Sequence, residues 1–198
     1  MSIGLAGQGK IGLANGIMGL YKSEGNVELD GKKISLNNPE KSLKQGLAFV
    51  SEDRRGVGLL LDSSIELNTV ITSMQIQGTF LKRYGVFTQR DNKKIREHAL
   101  KMIKDLDIRC TGPSQITRRL SGGNQQKVCI ARALTLNPKV LFVSEPTRGI
   151  DVGAKKLVLD TLVQLNKEYG MTIIMTSSEL AELRMISNRI AIINEGKL

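Results

Sequence analysis

Short apolar runs alternate with helical periodicity over the first and last thirds of the chain. The runs typical of buried strands are residues 2–6, 47–50, 140–143, 172–175 and 190–193. Apolar residues recur at helical spacing over 11–20, 154–169 and 179–186. An alternating segment around an Asp-Gly pair, residues 27–34, predicts a β-hairpin. Strands that alternate with helices form βαβ units, so the pattern predicts an α/β fold with a mostly parallel sheet covered on both faces.

The middle of the chain, from about 65 to 120, has a helical and charge-rich pattern instead. One predicted helix face is formed by Ile95, Ala99, Met102 and Leu106. Residues 82–104 contain eight Lys or Arg against two acidic residues, so much of the net charge lies there. We interpret this segment as a solvated helix face, and we expect the lone His98 to be a surface residue.

Length and composition limit the possible classes. At 198 residues we expect one domain, which can include an inserted subdomain. Hydrophobic residues make up 40% and charged residues 24%, which excludes a disordered or collagen-like chain. The formal net charge of +10 indicates an anionic partner: a nucleotide, a nucleic acid, an acidic protein or an anionic membrane face. Cys110 and Cys129 lie far apart, so we expect two small buried hydrophobes rather than a disulfide framework or a zinc site.

A glycine-rich loop follows the first predicted strand. Its sequence fits the G-x-x-x-x-G-K part of a phosphate-binding loop, in which backbone N–H groups surround phosphate oxygens and Lys10 reaches the β- and γ-phosphates. The candidate nucleotide-binding residues are Gly4, Gly7, Gln8, Gly9, Lys10, Ile11 and Gly12. The position after Lys10 needs a Ser or Thr hydroxyl to bind Mg²⁺. Because Ile11 has no oxygen, the loop is expected to hold phosphates but to be poorly equipped for their metal ion.

A second glycine pair marks a second candidate anion site. Ser121 can cap a helix that begins near Asn124, and two glycines bring backbone N–H groups close to an anion at the helix N-terminus. The residues assigned to this site are Leu120, Ser121, Gly122, Gly123, Asn124 and Gln125.

The string at 120–128 closely resembles the signature motif of ABC-transporter ATPases. Residues 144–154 resemble the Walker B and D-loop region of the same family. The sequences of both segments are similar to those found in the ATPases of bacterial simple-sugar importers of the ribose, galactose and xylose type. Residues 51–56 are similar to the second cassette of those two-cassette proteins.

This resemblance implies a fold and an assembly. It implies a RecA-like P-loop NTPase core over 1–52 and 128–198, with a helical signature subdomain inserted over 53–127. It further implies a head-to-tail dimer, in which Ser121, Gly122 and Gly123 face the nucleotide held by the partner cassette. Because the family has a further strand layer before the phosphate loop, we expect this chain to be an N-terminally truncated piece of a longer polypeptide.

The resemblance also assigns roles to single residues. Glu145 matches the general base that polarises the attacking water, and Ser178 stands where many members have a switch histidine. Glu52 occupies the Q-loop position, and Asp151 is the D-loop acid. Ser144 replaces the Walker B Asp that orders Mg²⁺ in the wider family.

The departures from the family pattern lead to an asymmetric hypothesis. Ile11 lacks the hydroxyl and Ser144 lacks the carboxylate of one Mg²⁺ site, so the chain's own ATP site is expected to be degenerate while its signature is intact. The resemblance implies an ATPase that drives sugar uptake, uses ATP and Mg²⁺, and lies peripherally at the cytoplasmic face of the plasma membrane. Its expected partners are a second cassette, transmembrane permease subunits and an extracytoplasmic sugar-binding protein.

Two alternatives stay open. One is a non-hydrolytic module that only completes the ATP site of another cassette. The other is a nucleic-acid-associated ABC ATPase, which the net charge allows; however, the stretch between Lys10 and Leu120 is too short for the coiled-coil insertions of that class. The positive charge of the helical insertion could instead face an acidic coupling surface or anionic headgroups.

Overall fold

The structure is a computed structural model that describes residues 2–3, 10–195 and 197. Within these ranges the strands are β1 (Ser2–Ile3), β2 (Glu28–Leu29), β3 (Lys32–Lys33), β4 (Leu47–Val50), β5 (Leu81–Tyr84), β6 (Phe87–Arg90), β7 (Val140–Ser144), β8 (Thr172–Ser177) and β9 (Ala191–Ile192). The α-helices are α1 (Lys10–Ile17), α2 (Pro39–Lys44), α3 (Ile65–Gln77), α4 (Asn92–Asp105), α5 (Gly122–Leu134), α6 (Val152–Tyr169) and α7 (Leu180–Ile186). A π-helical turn spans Arg54–Gly58, and a 3₁₀ turn spans Thr117–Arg119.

The chain forms two compact units. The first contains the described residues within 1–52, 138–148 and 159–198, and the second contains 53–137 and 149–158. The predicted boundary between 127 and 128 lies inside α5, whereas the compact units separate after residue 137. All of α5 therefore belongs to the second unit.

A five-stranded parallel sheet forms the centre of the first unit. Its strand order is β4-β7-β8-β1-β9, with all neighbouring strands parallel. Every residue of β7 is buried, as is typical of a central parallel strand covered on both faces. Part of the core beside it consists of Ala14, Met18, Ile34, Leu47, Val140 and Phe142. The predicted α/β fold with a mostly parallel sheet is therefore confirmed.

The predicted hairpin at 27–34 is also present, as the antiparallel pair β2–β3. Asp30 and Gly31 form its two-residue turn with φ angles of 51° and 71°. Positive φ at both central residues is the geometry of a type I′ turn, which Asp-Gly pairs favour. The Asp-Gly pair in the sequence was therefore sufficient to predict this hairpin.

The second unit contains the predicted amphipathic helix and one element that the pattern missed. The apolar face of α4 is buried as expected, with Ile95 and Met102 each 5% exposed. However, the helical prediction from about 65 to 120 is wrong at its centre, because β5 and β6 form an antiparallel hairpin there. Nearly all of the hairpin's residues are exposed, so it has no alternation of buried and exposed positions that could have revealed it.

His98 is not the surface residue that the sequence suggested. Its ring is half-buried, lies 5.1 Å from the ring of Phe80, and shares a 2.9 Å hydrogen bond with Thr135 Oγ1. Burial lowers the pKa of this imidazole below its ordinary value. The helical spacing places His98 one position before the buried Ala99. Its partial burial depends on contacts with Phe80 and Thr135, which lie far from it in the sequence.

No helix in the described ranges combines the length and the apolar character that a bilayer crossing requires.

Candidate functional site

Two candidate catalytic residues meet at the carboxyl edge of the parallel sheet. Glu145 follows β7 and Ser178 follows β8, and these strands are neighbours. Ser178 Oγ donates a 3.0 Å hydrogen bond to Glu145 Oε2. The backbone N–H of Glu145 donates to Thr176 O at 2.8 Å. Glu145 has a φ of 45°, a left-handed conformation that is uncommon for a residue other than glycine and often found at functional sites.

Ser144 occupies the last position of β7 and is fully buried. Its Oγ accepts a 3.2 Å hydrogen bond from Thr176 Oγ1. Mg²⁺ keeps several of its waters and is usually bound through one or two carboxylates together with substrate phosphates. The Ser144 hydroxyl is buried, uncharged and already has a protein partner, so this side chain does not fit the role of a Mg²⁺ ligand.

A buried carboxylate that the sequence analysis missed lies beside this edge. Glu182, near the start of α7, is only 5% exposed. Its two carboxylate oxygens accept hydrogen bonds from Thr147 Oγ1 at 2.5 Å and from Ser177 Oγ at 2.9 Å. Ser177 Oγ in turn accepts a hydrogen bond from the Glu179 N–H at 3.0 Å. This network joins the segments that follow β7 and β8, so it holds Glu145 and Ser178 in a fixed relation. No local pattern marks Glu182, because its partner Thr147 lies 35 residues away.

The signature segment begins helix α5 in the second unit. Ser121 is the N-cap residue, so the helix begins at Gly122 rather than near Asn124 as expected. Ser121 Oγ accepts a 2.9 Å hydrogen bond from Asn124 Nδ2 instead of bonding a backbone N–H. Asn124 Oδ1 accepts from the Arg109 N–H at 2.9 Å. Asn124 therefore ties the signature serine to the segment before it, and the backbone N–H groups at the helix start keep no side-chain cap.

The two signature glycines allow close approaches that a side chain would block. A Cβ at Gly122 would lie 3.1 Å from Arg54 Nη2 and 3.3 Å from Gly149 O. A Cβ at Gly123 would lie 3.1 Å from the Cβ of Ala154. The buried Arg54 donates a 3.0 Å hydrogen bond to Gly149 O, a role that its place in a run of charged residues did not reveal.

The signature and the D-loop acid line one cavity of about 340 Å³. Its lining includes Ser121, Gly123 and Asn124 from the signature, and Asp151 and Ala154 from the start of α6. Asp151 Oδ1 accepts a 2.9 Å hydrogen bond from the Ala154 N–H, so this side chain caps the start of α6. The structure thus brings together two predicted motifs that are separated by a whole helix and strand in the sequence.

Two basic residues also line this cavity. They are Arg109 and Lys127, and the sequence analysis did not select either of them. The buried Lys127 donates from Nζ to Asp107 O at 2.8 Å. Lys127 Nζ also lies 3.7 Å from Asp107 Oδ2, so its charge is partly balanced. Arg109 and the uncapped helix N-terminus are the features of this cavity that favour an anion.

The phosphate loop falls mostly outside the described residues. Gly4, Gly7, Gln8 and Gly9 lie there, and Lys10 begins α1. Gly12 lies within α1, where a Cβ would meet no atom within 4 Å. Glu52, at the Q-loop position, lies just after β4, and its Oε2 accepts a 3.4 Å hydrogen bond from Ser51 Oγ. The predicted roles of these residues stay predictions.

Cys129 provides a chemical probe of the signature helix. It is 5% exposed, its Sγ lies 3.9 Å from Gly58 O, and burial raises the pKa of its thiol to about 12. We expect a disulfide reagent at pH 8 to modify only the half-buried Cys110, because roughly one Cys129 in ten thousand is a thiolate there. The amount of chromophore released by the reagent should therefore correspond to one thiol per chain in the native protein and to two in the denatured protein. With Cys110→Ser as the control, rapid native labelling of Cys129 would contradict this packing.

Comparison with known proteins decides the family. The family model described as "ABC transporter" matches residues 2–148, which is most of the chain. The chain belongs to the ABC transporter family. The resemblance predicted from the signature and strand-end motifs is thereby confirmed.

Curated ABC transporter relatives match nearly the whole chain. It is 42% identical over 196 residues to the ribose import ATP-binding protein RbsA of Halalkalibacterium halodurans, covering 98% of this chain and 38% of the relative. It is also 42% identical over 197 residues to the xylose import ATP-binding protein XylG of Thermoanaerobacter pseudethanolicus, covering 98% and 37%. The chain thus spans less than two fifths of the length of these relatives.

A solved ABC transporter cassette has the same fold. The post-hydrolysis dimer of the ATP-binding cassette MJ0796, bound to ADP and Pi, is similar to this chain with a TM-score of 0.77. The sequences are 25% identical, and the match covers 98% of this chain and 80% of the cassette. The predicted P-loop NTPase fold class is therefore confirmed.

Proposed function

We propose that this chain is the second ATP-binding cassette of a simple-sugar importer, coupling ATP binding and hydrolysis to uptake. The observation that carries the proposal is its 42% identity, over 98% of its length, to a ribose import ATP-binding protein. The contact between Glu145 and Ser178 and the cavity at the signature support it. The proposed partners are a second cassette, permease subunits and an extracytoplasmic sugar-binding protein, with the cassette peripheral at the cytoplasmic face.

Each motif has a proposed role in ATP binding or hydrolysis. The residues from Gly4 to Lys10 hold the phosphates of the chain's own nucleotide. Glu145 acts as the base that orients the attacking water, and Ser178 holds that carboxylate in place through its hydrogen bond. Ser121 and the backbone N–H groups of Gly122 and Gly123 stabilise the phosphates bound by the partner cassette.

Hydrolysis at the chain's own phosphate loop is proposed to be impaired. Ile11 lacks an oxygen, and the buried Ser144 hydroxyl is engaged by Thr176. The two ATP sites of the assembly then differ, and the intact signature serves the competent one. If the chain's own site does not hydrolyse ATP at all, the chain is a non-hydrolytic module that only completes the ATP site of its partner. Ile11 and Ser144 favour this second function as well.

The test compares ATP turnover by the chain alone with turnover in the presence of a competent cassette. Such a cassette has Ser or Thr after its phosphate-loop Lys and Asp before its catalytic Glu. We expect background turnover from the chain alone and a clear stimulation in the mixture. Ser121→Glu should reduce the stimulated rate by about tenfold or more, because a carboxylate at the helix N-terminus repels the phosphates.

A matched variant shows whether the loss of stimulated rate depends on placing the negative charge at the signature. Ser114→Glu adds the same carboxylate at another exposed serine of the same unit and should leave the stimulated rate within about twofold. Mg²⁺-dependent turnover by the chain alone, abolished by Glu145→Gln, would show a competent site and reject the asymmetry. If the chain alone did not bind ATP and did not raise the turnover of the competent cassette, the cassette assignment itself would fail.

A further inference from the structure

The hairpin formed by β5 and β6 presents an exposed apolar tip. Val86 is 92% exposed, Phe87 is 75% exposed and Tyr84 is 59% exposed. Tyr84 and Phe87 are directly paired across the two strands, so their side chains lie on the same face of the hairpin. Gly85 adopts a φ of 58° at the first turn position, where a tight two-residue turn requires glycine, and this places Val86 at the apex. Three neighbouring apolar side chains therefore face solvent together.

The base of this hairpin is held firmly by the second unit. The Phe80 ring contacts the His98 ring on α4, and the Asp91 N–H donates to Phe80 O at 2.8 Å. Lys82 Nζ lies 3.3 Å from the buried carboxylate of Asp91, which also caps α4. Because the base is packed and hydrogen-bonded, the tip remains exposed to solvent when the second unit is folded. An apolar tip on a rigid stem is costly in water and is typical of a binding surface.

The surroundings of the tip are strongly basic. Residues 81–94 contain five Lys or Arg and a single acidic residue. That acidic residue is Asp91, which is buried and already paired with Lys82. Arg83 and Arg90 lie on the face of the hairpin opposite to Tyr84 and Phe87, since paired positions alternate between the two faces. The tip is thus apolar at its end and positive behind it.

From this arrangement we infer that the β5–β6 hairpin binds an anionic phospholipid surface. Tyr84, Val86 and Phe87 enter the interfacial layer, where aromatic rings are favoured. Arg83 and Arg90 then lie at the level of the anionic headgroups, which attract basic residues within about one Debye length. A projecting tip fits a fluid surface that needs no shaped pocket. This inference goes beyond the proposed function and requires neither nucleotide nor sugar.

Vesicle sedimentation tests the inference with the intact chain. We expect it to bind vesicles of equimolar phosphatidylglycerol and phosphatidylcholine about tenfold or more tightly than vesicles of phosphatidylcholine alone. The variants Val86→Ser/Phe87→Ser and Arg83→Glu/Arg90→Glu should each weaken binding to the anionic vesicles by about tenfold or more. Because all four side chains are exposed, neither variant removes a core contact.

The other hairpin of the chain supplies the control. Lys32 and Lys33 of β3 are exposed, and Lys32→Glu/Lys33→Glu changes the net charge by the same amount as the Arg83/Arg90 pair. This control should retain binding within about twofold. An equal loss in both pairs would attribute binding to net charge and overturn the inference. Absence of binding to the anionic vesicles would also overturn it, including when the chain instead binds DNA or an acidic protein.

Fluorescence provides a second measurement that does not depend on charge. The chain contains no Trp, and Tyr84 and Tyr21 are similarly exposed, at 59% and 57%. In the Tyr84→Trp variant, emission should shift to shorter wavelength on adding anionic vesicles, because the ring leaves water. In the Tyr21→Trp variant it should not shift. A shift in Tyr21→Trp alone, or in neither variant, would overturn the inference.

Discussion

Replacing Asn68 with Ala is expected to lower the free energy of unfolding of the second unit by about 3–5 kcal/mol. Asn68 lies on α3 and is fully buried. Its Oδ1 accepts hydrogen bonds from the Leu60 N–H at 2.9 Å and from Arg132 Nη2 at 2.5 Å. Its Nδ2 donates to Leu60 O at 2.8 Å and to Thr117 Oγ1 at 3.0 Å. The truncation therefore leaves the Leu60 N–H and C=O groups without their side-chain partner. It also removes one of the two hydrogen bonds that Arg132 makes to residue 68, while Arg132 Nε keeps its 2.8 Å bond to the backbone oxygen.

Denaturant unfolding monitored by Cys129 labelling measures this effect in the correct unit. A loss of this size corresponds to a fall in Tm of roughly 6–20 °C for a chain of this length. Within the same unit, Ser64→Ala removes a single 3.2 Å hydrogen bond, donated by the Leu67 N–H to Ser64 Oγ, and should cost only about 1 kcal/mol. If both variants unfolded at the same denaturant concentration, the buried network around Asn68 would contribute nothing beyond one ordinary hydrogen bond.

The second large effect concerns the metal ion. In the native chain we expect Mg²⁺ to change the affinity for ATP by less than about twofold, since Ile11 and Ser144 supply no charged oxygen. The double variant Ile11→Thr/Ser144→Asp restores a hydroxyl and a carboxylate at these two positions. We expect Mg²⁺ to strengthen ATP binding by this variant about tenfold or more, which is about 1.4 kcal/mol. Isothermal titration with and without Mg²⁺ measures the difference.

An uncharged variant of the same shape controls for changes in packing. Ile11→Thr/Ser144→Asn should show no response to Mg²⁺ beyond that of the native chain, because an amide lacks the charge that attracts the ion. The Asp variant should also be less stable without Mg²⁺, since position 144 is fully buried and a lone carboxylate there is poorly solvated. A native chain that bound ATP tenfold more tightly with Mg²⁺ would contradict the proposed degeneracy.

The hydrophobic pattern of the sequence correctly predicted the elements that have a buried face. The strands at 47–50 and 140–143 and the helix face of α4 follow from short-range hydrophobic periodicity. The pattern did not predict the β5–β6 hairpin, because an element without a buried face has no periodicity to detect. It also placed His98 at the surface, since the covering ring of Phe80 lies on a different element.

The candidate site shows the same division. The order of motifs along the chain was sufficient to indicate the family and the residues Glu145 and Ser121. The hydrogen bond from Ser178 to Glu145 could not be predicted, because it joins residues 33 positions apart on neighbouring strands. Arg54 and Glu182 could not be predicted either, since a buried charge has the same sequence context as an exposed one. Their burial is decided by distant carbonyl and hydroxyl groups that happen to lie within hydrogen-bonding distance.

The fold class, the family, the lack of a hydroxyl at Ile11 and the lack of a carboxylate at Ser144 all follow from the sequence, because residue identity and local spacing are properties of the chain alone. The packing of the folded chain sets the hydrogen bond that Thr176 donates to the Ser144 hydroxyl, and it brings Asp151 to the signature at one cavity. It also leaves the Tyr84–Phe87 pair facing solvent. These are contacts or exposures set by which elements pack together, and elements far apart in the chain are brought together only by folding.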